Sequence, residues 1–409
     1  MISGPFLARP DNPFPQRADH MLDELQQLRR RFHAIAEVGL DLPQTQRSVL
    51  QALEGLPLEI TLGKRLSSVT AVLRGGRPGT TVLLRGDMDA LPVAEATGLE
   101  YASPHGAMHA CGHDLHMAGL IGAARLLCSV RDELPGTVVF MFQPGEEGHG
   151  GGELMIAEGV LEVTEEHPAA AYAVHVDSTT PFGHFITRPG PLMAGVNALD
   201  IRIIGTGGHA AAPHLAVDPV PVAAEVILAV QSFAARRLNP ADAGVISIGK
   251  LSSDSAAGNV LAREVAMSTN MRHFSDEVGT LFTDELPRMI RALAEAHRCR
   301  AEITLIPSYP ATVNDAAETE FLMDRLSALH GTQRVRRMPE PAMAAEDFSY
   351  VLQKVPGAMV FLGAKPPDLA EDDVAPMHSE RVLFDDRVLA VQAASLANLA
   401  WSRLTLGTA

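Results

Sequence analysis

The chain of 409 residues is short of cysteine and of positive charge, and it contains no long apolar run. Its three cysteines, Cys111, Cys128 and Cys299, are odd in number and widely spread, which excludes a disulfide framework and fits a reducing cytoplasm. Lysine and arginine total 33 against 49 acids, a net charge of −16, so no cationic face is available to offset phosphate repulsion and a general nucleic-acid binder is excluded. A small anionic substrate is still compatible, because a few arginines can act locally. No run of about 18 apolar residues occurs, so no membrane span is expected. The N-terminus, "MISGPFLARPDNPFPQRADH", lacks a basic segment followed by an apolar one, and no secretory leader is expected there. What is present is 46% hydrophobic and 20% charged residues, enough for sizeable cores in two or three domains.

Apolar positions Leu22, Leu25, Leu28 and Phe32 recur at helical spacing and predict a helix near 18–37. Four later runs read as strands: "TTVLLRG", "GTVVFMFQ", "AAYAVHV" and, far downstream, "GAMVFLGA". Helical stretches separate several of them, which predicts an α/β domain with a mostly parallel sheet and helices on both faces. The middle of the chain differs. "NALDIRIIGTG" is a strand, "DPVPVAAEVILAVQSFAARR" a helix, and "GVISIGKLSS" with "NVLAREVAMSTNMRHF" a strand pair. "SDEVGTLFTDELPRMIRALAEAHR" is a helix stepped at Pro287, and "RAEITLIPSY" a last strand. The order βαββαβ is that of a ferredoxin-like unit. Residues 196–310 therefore read as a smaller domain inserted into a discontinuous larger one, 1–195 and 311–409.

Polar residues gather where the strands of the larger domain end. "LLRGDMDALP" brings Asp87 and Asp89, "MFQPGEEGHGGG" brings Glu146 and Glu147, "YAVHVD" brings His175, and "MHSE" brings His378. Ligands of open parallel sheets bind beyond the carboxyl ends of the strands. Taken singly, each residue also reads as ordinary structure: the aspartates as turn or cap residues, the glutamates as a solvated loop, His175 as a core histidine, His378 as a surface loop residue. Adjacent carboxylates repel, however, and a bound metal relieves the conflict.

The stretch "MHACGHDLH", Met108–His116, sharpens this. Cys111 and His113 are two apart, so one turn can aim both inward. Asp114 is expected to cap the following helix, "LHMAGLIGAARLLCSV". A helix N-terminus and a metal both favour thiolate. Cys128 falls on the apolar face of that helix and reads as core, Cys299 as structural, and His109 and His116 as supporting or packing residues.

"RGDMDALP", "MHACGHD", "QPGEEG", "VHVD", "GTGGHAAAPH", "AEDFS" and "MHSE", in that order, resemble the di-metal amidohydrolase branch of the aminoacylase, carboxypeptidase and dipeptidase superfamily. That branch includes hippurate hydrolase, N-acyl-amino-acid amidohydrolases and auxin-conjugate hydrolases. The resemblance runs from the "RRFHAIAE" helix to the "MHSE" loop. It implies a catalytic domain with two divalent metal ions per subunit and an inserted dimerisation domain, in a homodimer or homotetramer. Cys111 would bridge the ions, with Glu147 and His378 completing one site and His113 and His175 the other. Glu146 would be the general base, and Asp89 would stand behind a ligand and orient it. His209 would stabilise the oxyanion of a partner subunit's site, and Arg272 with Asn259 would bind the carboxylate of an N-acyl amino acid. Thiolate suits zinc, while imidazole and carboxylate also suit manganese, cobalt and nickel.

The chain departs from relatives at Gly145, where alanine is commoner, and at His149, where glycine is commoner; His149 is expected to face solvent, and His214 reads either as a neighbour of His209 or as a contributor. The implied activity is hydrolysis of an N-acyl amino acid to a carboxylic acid and a free amino acid. Three rivals stand beside it. A thiol hydrolase with Cys111 as nucleophile leaves the paired glutamates without a role. A non-catalytic binding homologue would lack a ligand or base, and none is missing. A dipeptidase or aminopeptidase of the same superfamily would more usually bridge its metals with aspartate.

Overall fold

Val82 to Asp87 are buried without a break, as are Val138 to Gln143 and Gly357 to Ala364. Successive side chains of a strand point to opposite faces, so uninterrupted burial means that both faces are covered. In the computed structural model, which describes residues 12–406, these strands form the centre of an eight-stranded sheet. Most of the N-terminal segment read for a leader, residues 1–11, lies outside the described residues. Among the described residues no helix is long and apolar enough to cross a membrane.

The sheet runs Glu59–Leu62, Val69–Arg74, Pro135–Gln143, Arg77–Asp87, Ala170–Pro181, Gly357–Lys365, Phe185–Thr187, Val335–Arg337. The third to sixth strands in this order are mutually parallel, while pairings nearer the edges include antiparallel ones. The helices His113–Cys128 and Val388–Leu406 pack against this centre and contribute Leu115, Ile121, Leu389 and Leu396 to its core. Helix Leu22–Ala34 supplies Leu25, Leu28 and Phe32, the apolar stripe expected from the sequence, although a break at Met21 separates it from the preceding turn Phe14–His20.

The chain divides into two compact units. One comprises residues up to Leu192, Val313–Glu340 and those from Tyr350 onward; the other comprises Met193–Thr312 and Pro341–Ser349. Residues 341–349, kept in the larger part by the sequence reading, cluster with the second unit. That unit has an antiparallel sheet ordered Gly244–Ser253, Glu264–His273, Gly195–Ile204, Arg300–Tyr309. With helices Pro219–Arg237 and Leu286–Ala296 it has the βαββαβ order of a ferredoxin-like unit. Leu199, Ile201 and Ile203 are buried while Asp200 and Arg202 between them are exposed, the alternation of a sheet covered on one face.

Two details of this unit differ from expectation. Val260–Leu261 leaves the strand pair and bridges to Gly208–His209, because the continuous partner strand begins only at Glu264. The helical step lies just before Pro287, in a wide π-helical turn at Leu281–Glu285. A proline carries no N–H for the regular ladder, and widening the preceding turn accommodates it.

Candidate metal centre

The strands Arg77–Asp87 and Ala170–Pro181 are paired only from Val82↔Ala170 to Arg85↔Ala173. Beyond that point they fork, and the start of helix His113–Cys128 enters the gap. His116 bridges the fork: its Nδ1 bonds the Asp87 carboxylate on one strand, and its Nε2 accepts the Val176 N–H of the other at 2.8 Å. Both ring nitrogens are thereby engaged, so His116 supports the site and is not available as a ligand. Gly112, with φ +85°, makes the close entry possible; a Cβ there would lie 2.4 Å from Val176 Cγ2.

This insertion brings Cys111 beside His175, Sγ to Nε2 3.5 Å. The sequence placed His175 at a strand end. The strand continues to Pro181, and it is the fork that exposes His175 to the site. The His175 Nδ1–H donates to the Val176 carbonyl at 2.7 Å, which directs Nε2 toward the sulfur. His113 Nδ1 donates to the Asp89 carbonyl at 2.8 Å. His378, in a left-handed conformation with φ +70°, has its backbone N–H on the Ala110 carbonyl at 2.9 Å and its Nε2 3.3 Å from Glu147 Oε1. The bend that holds the "MHSE" loop against the cysteine loop thus falls on His378 itself.

Ligand atoms of Cys111, His113 and His175 lie within 4.8 Å of one another, and so do those of Cys111, Glu147 and His378. The two triads share one sulfur. Glu146, also buried, lies within the same spacing of His113 and Glu147. Asp89 accepts the backbone N–H groups of both Glu146 and Glu147, each at 2.9 Å, and so holds the acidic loop against the strand end. Arg85 donates to Asp87 at 2.6 Å.

The electrostatics follow from this crowding. Burial would raise the Cys111 thiol, but His175, with His113 and His378 beside it, outweighs burial and lowers it to about 6. His113 is raised despite burial, chiefly by Asp87, and His378 rises to about 10 through the adjacent Cys111 thiolate and Glu147 carboxylate. Buried His113 Nε2 and Glu147 Oε1 make no well-aligned hydrogen bond; their neighbours are Asp87 Oδ2 at 3.4 Å and His378 Nε2 at 3.3 Å. A cluster of thiolate, imidazole and carboxylate with two unsatisfied donor atoms fits divalent cations.

The other expected residues fall elsewhere. His109 is buried and kept neutral, its ring lowered to about 3 by burial. Asp114 does not cap the helix. The N-cap is Gly112; one Asp114 carboxylate oxygen accepts the Leu115 N–H of the first turn at 3.0 Å, and the other goes to Arg29 and His33. Cys128 is half-buried at its helix end and raised to about 11 by burial, while Cys299 belongs to the second unit's core. His149 is exposed, as expected, with its ring over Gly39. His209, Asn259, Arg272 and His214 lie in the second unit. His209 and Asn259 are exposed; the Ala211 N–H donates to His209 Nδ1 at 3.0 Å, which leaves the ring proton on Nε2. Arg272 is half-buried, donates to Asn270 Oδ1 at 3.1 Å and has no carboxylate partner among the described residues. Arg85 and His33 were not anticipated as parts of the site's surroundings, since nothing local marks an arginine inside an apolar strand or a histidine on a distant helix as a partner of this cluster.

Comparison with known proteins places this geometry. The sequence signature of peptidase family M20/M25/M40 matches residues 83–402. Thermostable carboxypeptidase 1 of Saccharolobus solfataricus is 35% identical over 383 residues, covering 92% of this chain and 95% of its own. N-acetyldiaminopimelate deacetylase of Geobacillus thermodenitrificans is 35% identical over 345 residues, covering 83% and 89%. Among solved structures, the Bacillus subtilis YXEP protein, a dinuclear metal binding peptidase from the M20 family, superposes with a TM-score of 0.80 at 28% identity, over 94% of this chain and 99% of its own.

Proposed function

The chain belongs to peptidase family M20/M25/M40, metal-dependent hydrolases of amide and peptide bonds, and on that premise we propose that it cleaves N-acyl amino acids to a carboxylic acid and a free amino acid. The observation that carries the reading is the pair of donor triads joined at the Cys111 sulfur, with Glu146 beside them. One relative at 35% identity is a deacetylase of N-acetyldiaminopimelate, itself an N-acyl amino acid.

We assign Cys111, His113 and His175 to one divalent ion and Cys111, Glu147 and His378 to a second. Ions bound there supply Lewis acidity and make water acidic enough to ionise near neutral pH. Glu146 takes the proton of the attacking water and passes it to the departing nitrogen, while Glu147 is engaged as a ligand. His209, with its proton on Nε2, is the donor assigned to the developing oxyanion of a partner subunit's site. Arg272, without an acidic partner, is assigned with Asn259 to the substrate carboxylate, whose geometry a guanidinium fork matches. Zinc, manganese, cobalt and nickel all suit this donor set.

The decisive assay follows free amine release from a panel of N-acyl amino acids, dipeptides and neutral amides. Cleavage of N-acyl amino acids that is lost in chelator, restored by a divalent ion and abolished by Glu146→Gln is expected. Activity that persists in chelator but is lost on Cys111 alkylation would instead identify a thiol hydrolase.

A further inference from the structure

Asp114 follows His113 directly, yet its carboxylate belongs to a different set of contacts. Oδ2 forms an ion pair with Arg29 Nε at 2.6 Å and bonds His33 Nδ1 at 2.8 Å. All three side chains are at most 2% exposed. Arg29 and His33 are four residues apart on helix Leu22–Ala34 and so lie on one face. The other nitrogen of His33 meets the Glu95 carboxylate at 3.0 Å, and Arg29 Nη1 donates to the Tyr101 hydroxyl at 2.6 Å. Glu95 further accepts the Ser103 N–H at 2.9 Å and the Thr97 hydroxyl.

Glu95 and Tyr101 sit in the excursion that leaves the donor cluster at Asp89 and returns to it at Cys111. This excursion has almost no regular structure: an isolated bridge ties Ala90 to Val38, and another, Leu91↔Met108, closes its neck. Beyond these bridges and the Ala96 N–H on the Glu380 carbonyl, its course is set by side-chain contacts, and Arg29 and His33 hold its middle. Through Asp114 the same two residues hold the first turn of the helix that carries His113. Both covalent approaches to the Cys-x-His pair are thus fastened to one face of one helix.

We propose that Arg29, His33 and Asp114, together with Glu95, are positioning residues that set the donor geometry of Cys111 and His113 for metal binding. The inference rests on the metal-centre reading above. None of the four is assigned as a ligand or touches the reacting atoms. Apolar side chains of similar volume would join the two helices at least as well as a buried ion pair does. The hydrogen bonds of His33 to Asp114 and Glu95 add fixed angles to the Arg29 ion pair, and outer-shell partners of metal ligands act in this way.

The test uses the full-length protein and cobalt(II), whose bond to a thiolate gives a sulfur-to-metal charge-transfer band. Wild type should show the band, and Cys111→Ser should lose it. Asp114→Asn should bind cobalt about 10–100-fold more weakly and show an altered band while retaining cooperative unfolding, and Asp114→Glu should recover part of the affinity. His33→Gln, which leaves the Arg29–Asp114 pair in place, should show a smaller change in the same direction and decides the matter if Asp114→Asn does not fold. Wild-type affinity and an unaltered band in the folded variants overturn the positioning role. Absence of the band in wild type, or its persistence in Cys111→Ser, overturns the metal-centre reading and this inference with it.

Discussion

The carboxylate of Asp89 spans the backbone N–H groups of Glu146 and Glu147, one oxygen to each, both at 2.9 Å. Two consecutive amides on one carboxylate leave the acidic pair little freedom to move relative to the strand end. Asp89→Asn retains one acceptor but turns an NH2 group toward the second amide, where two donors meet. Metal affinity and kcat/KM are expected to fall by about 10–100-fold with secondary structure unchanged. Isothermal titration with the metal and steady-state kinetics check this, and unaltered values for both would remove Asp89 from the site.

Glu95 governs an acid-dependent part of the stability. Burial opposes its ionisation, but His33, Thr97 and Ser103 hold it down from 4.5 to about 2. A carboxylate lowered in the folded state stabilises it at pH values above the ordinary range, and the contribution disappears as pH falls through the folded value. The window is therefore from about pH 4.5 down to about pH 2. Glu95→Gln should unfold at lower denaturant concentration than wild type at pH 6, and the gap between them should narrow through that window. A gap independent of pH would show that ionised Glu95 does not matter to folding.

Arg272 lacks an acidic partner among the described residues and is held below its ordinary pKa by burial; its proposed partner is the substrate carboxylate. Arg272→Ala should raise KM for N-acyl amino acids by well over ten-fold, about the 1.5–3 kcal/mol of a hydrogen bond to a charged group, while KM for neutral amides barely changes. Equal effects on both substrate classes would assign Arg272 to folding and not to the carboxylate.

Gly145 precedes the acidic pair with φ +74°, and a Cβ there would lie 2.4 Å from Leu40 Cδ2. The space a side chain would need at this glycine is thus filled by a leucine. Gly145→Ala should destabilise the protein by about 1–2 kcal/mol from backbone conformation alone, plus the clash. Leu40→Ala should relieve only the clash, so the double variant should be more stable than the sum of the single effects predicts. Additive denaturation midpoints would show that the two side chains do not compete.

Much of this architecture was legible in the chain. Unbroken apolar runs announced the central strands, the three- and four-residue spacing of Leu25, Leu28 and Phe32 the first core helix, and the βαββαβ order the second unit. Cys111, His113, Glu147, His175 and His378 were singled out as candidate donors from motifs that each span only a few residues. What misled was equally local. Asp114 stands where a capping residue belongs and one oxygen does meet the Leu115 N–H, but Arg29 and His33 arrive from 85 and 81 positions away and claim the other. Val260–Leu261 looked like part of a long strand, yet its ladder partner is Gly208–His209.

The sequence by itself determined the elements and the chemical kinds of donor, because hydrophobic period and residue type are properties of neighbours along the chain. Only the tertiary structure decided that two central strands part after Arg85, that His116 fills the fork, that Asp89 grips two amides 57 and 58 residues away, and that a helix near the start carries the supports of the Cys-x-His turn. Each of these depends on which strands lie side by side and on which polar group reaches a buried partner first, and that competition is settled across the fold.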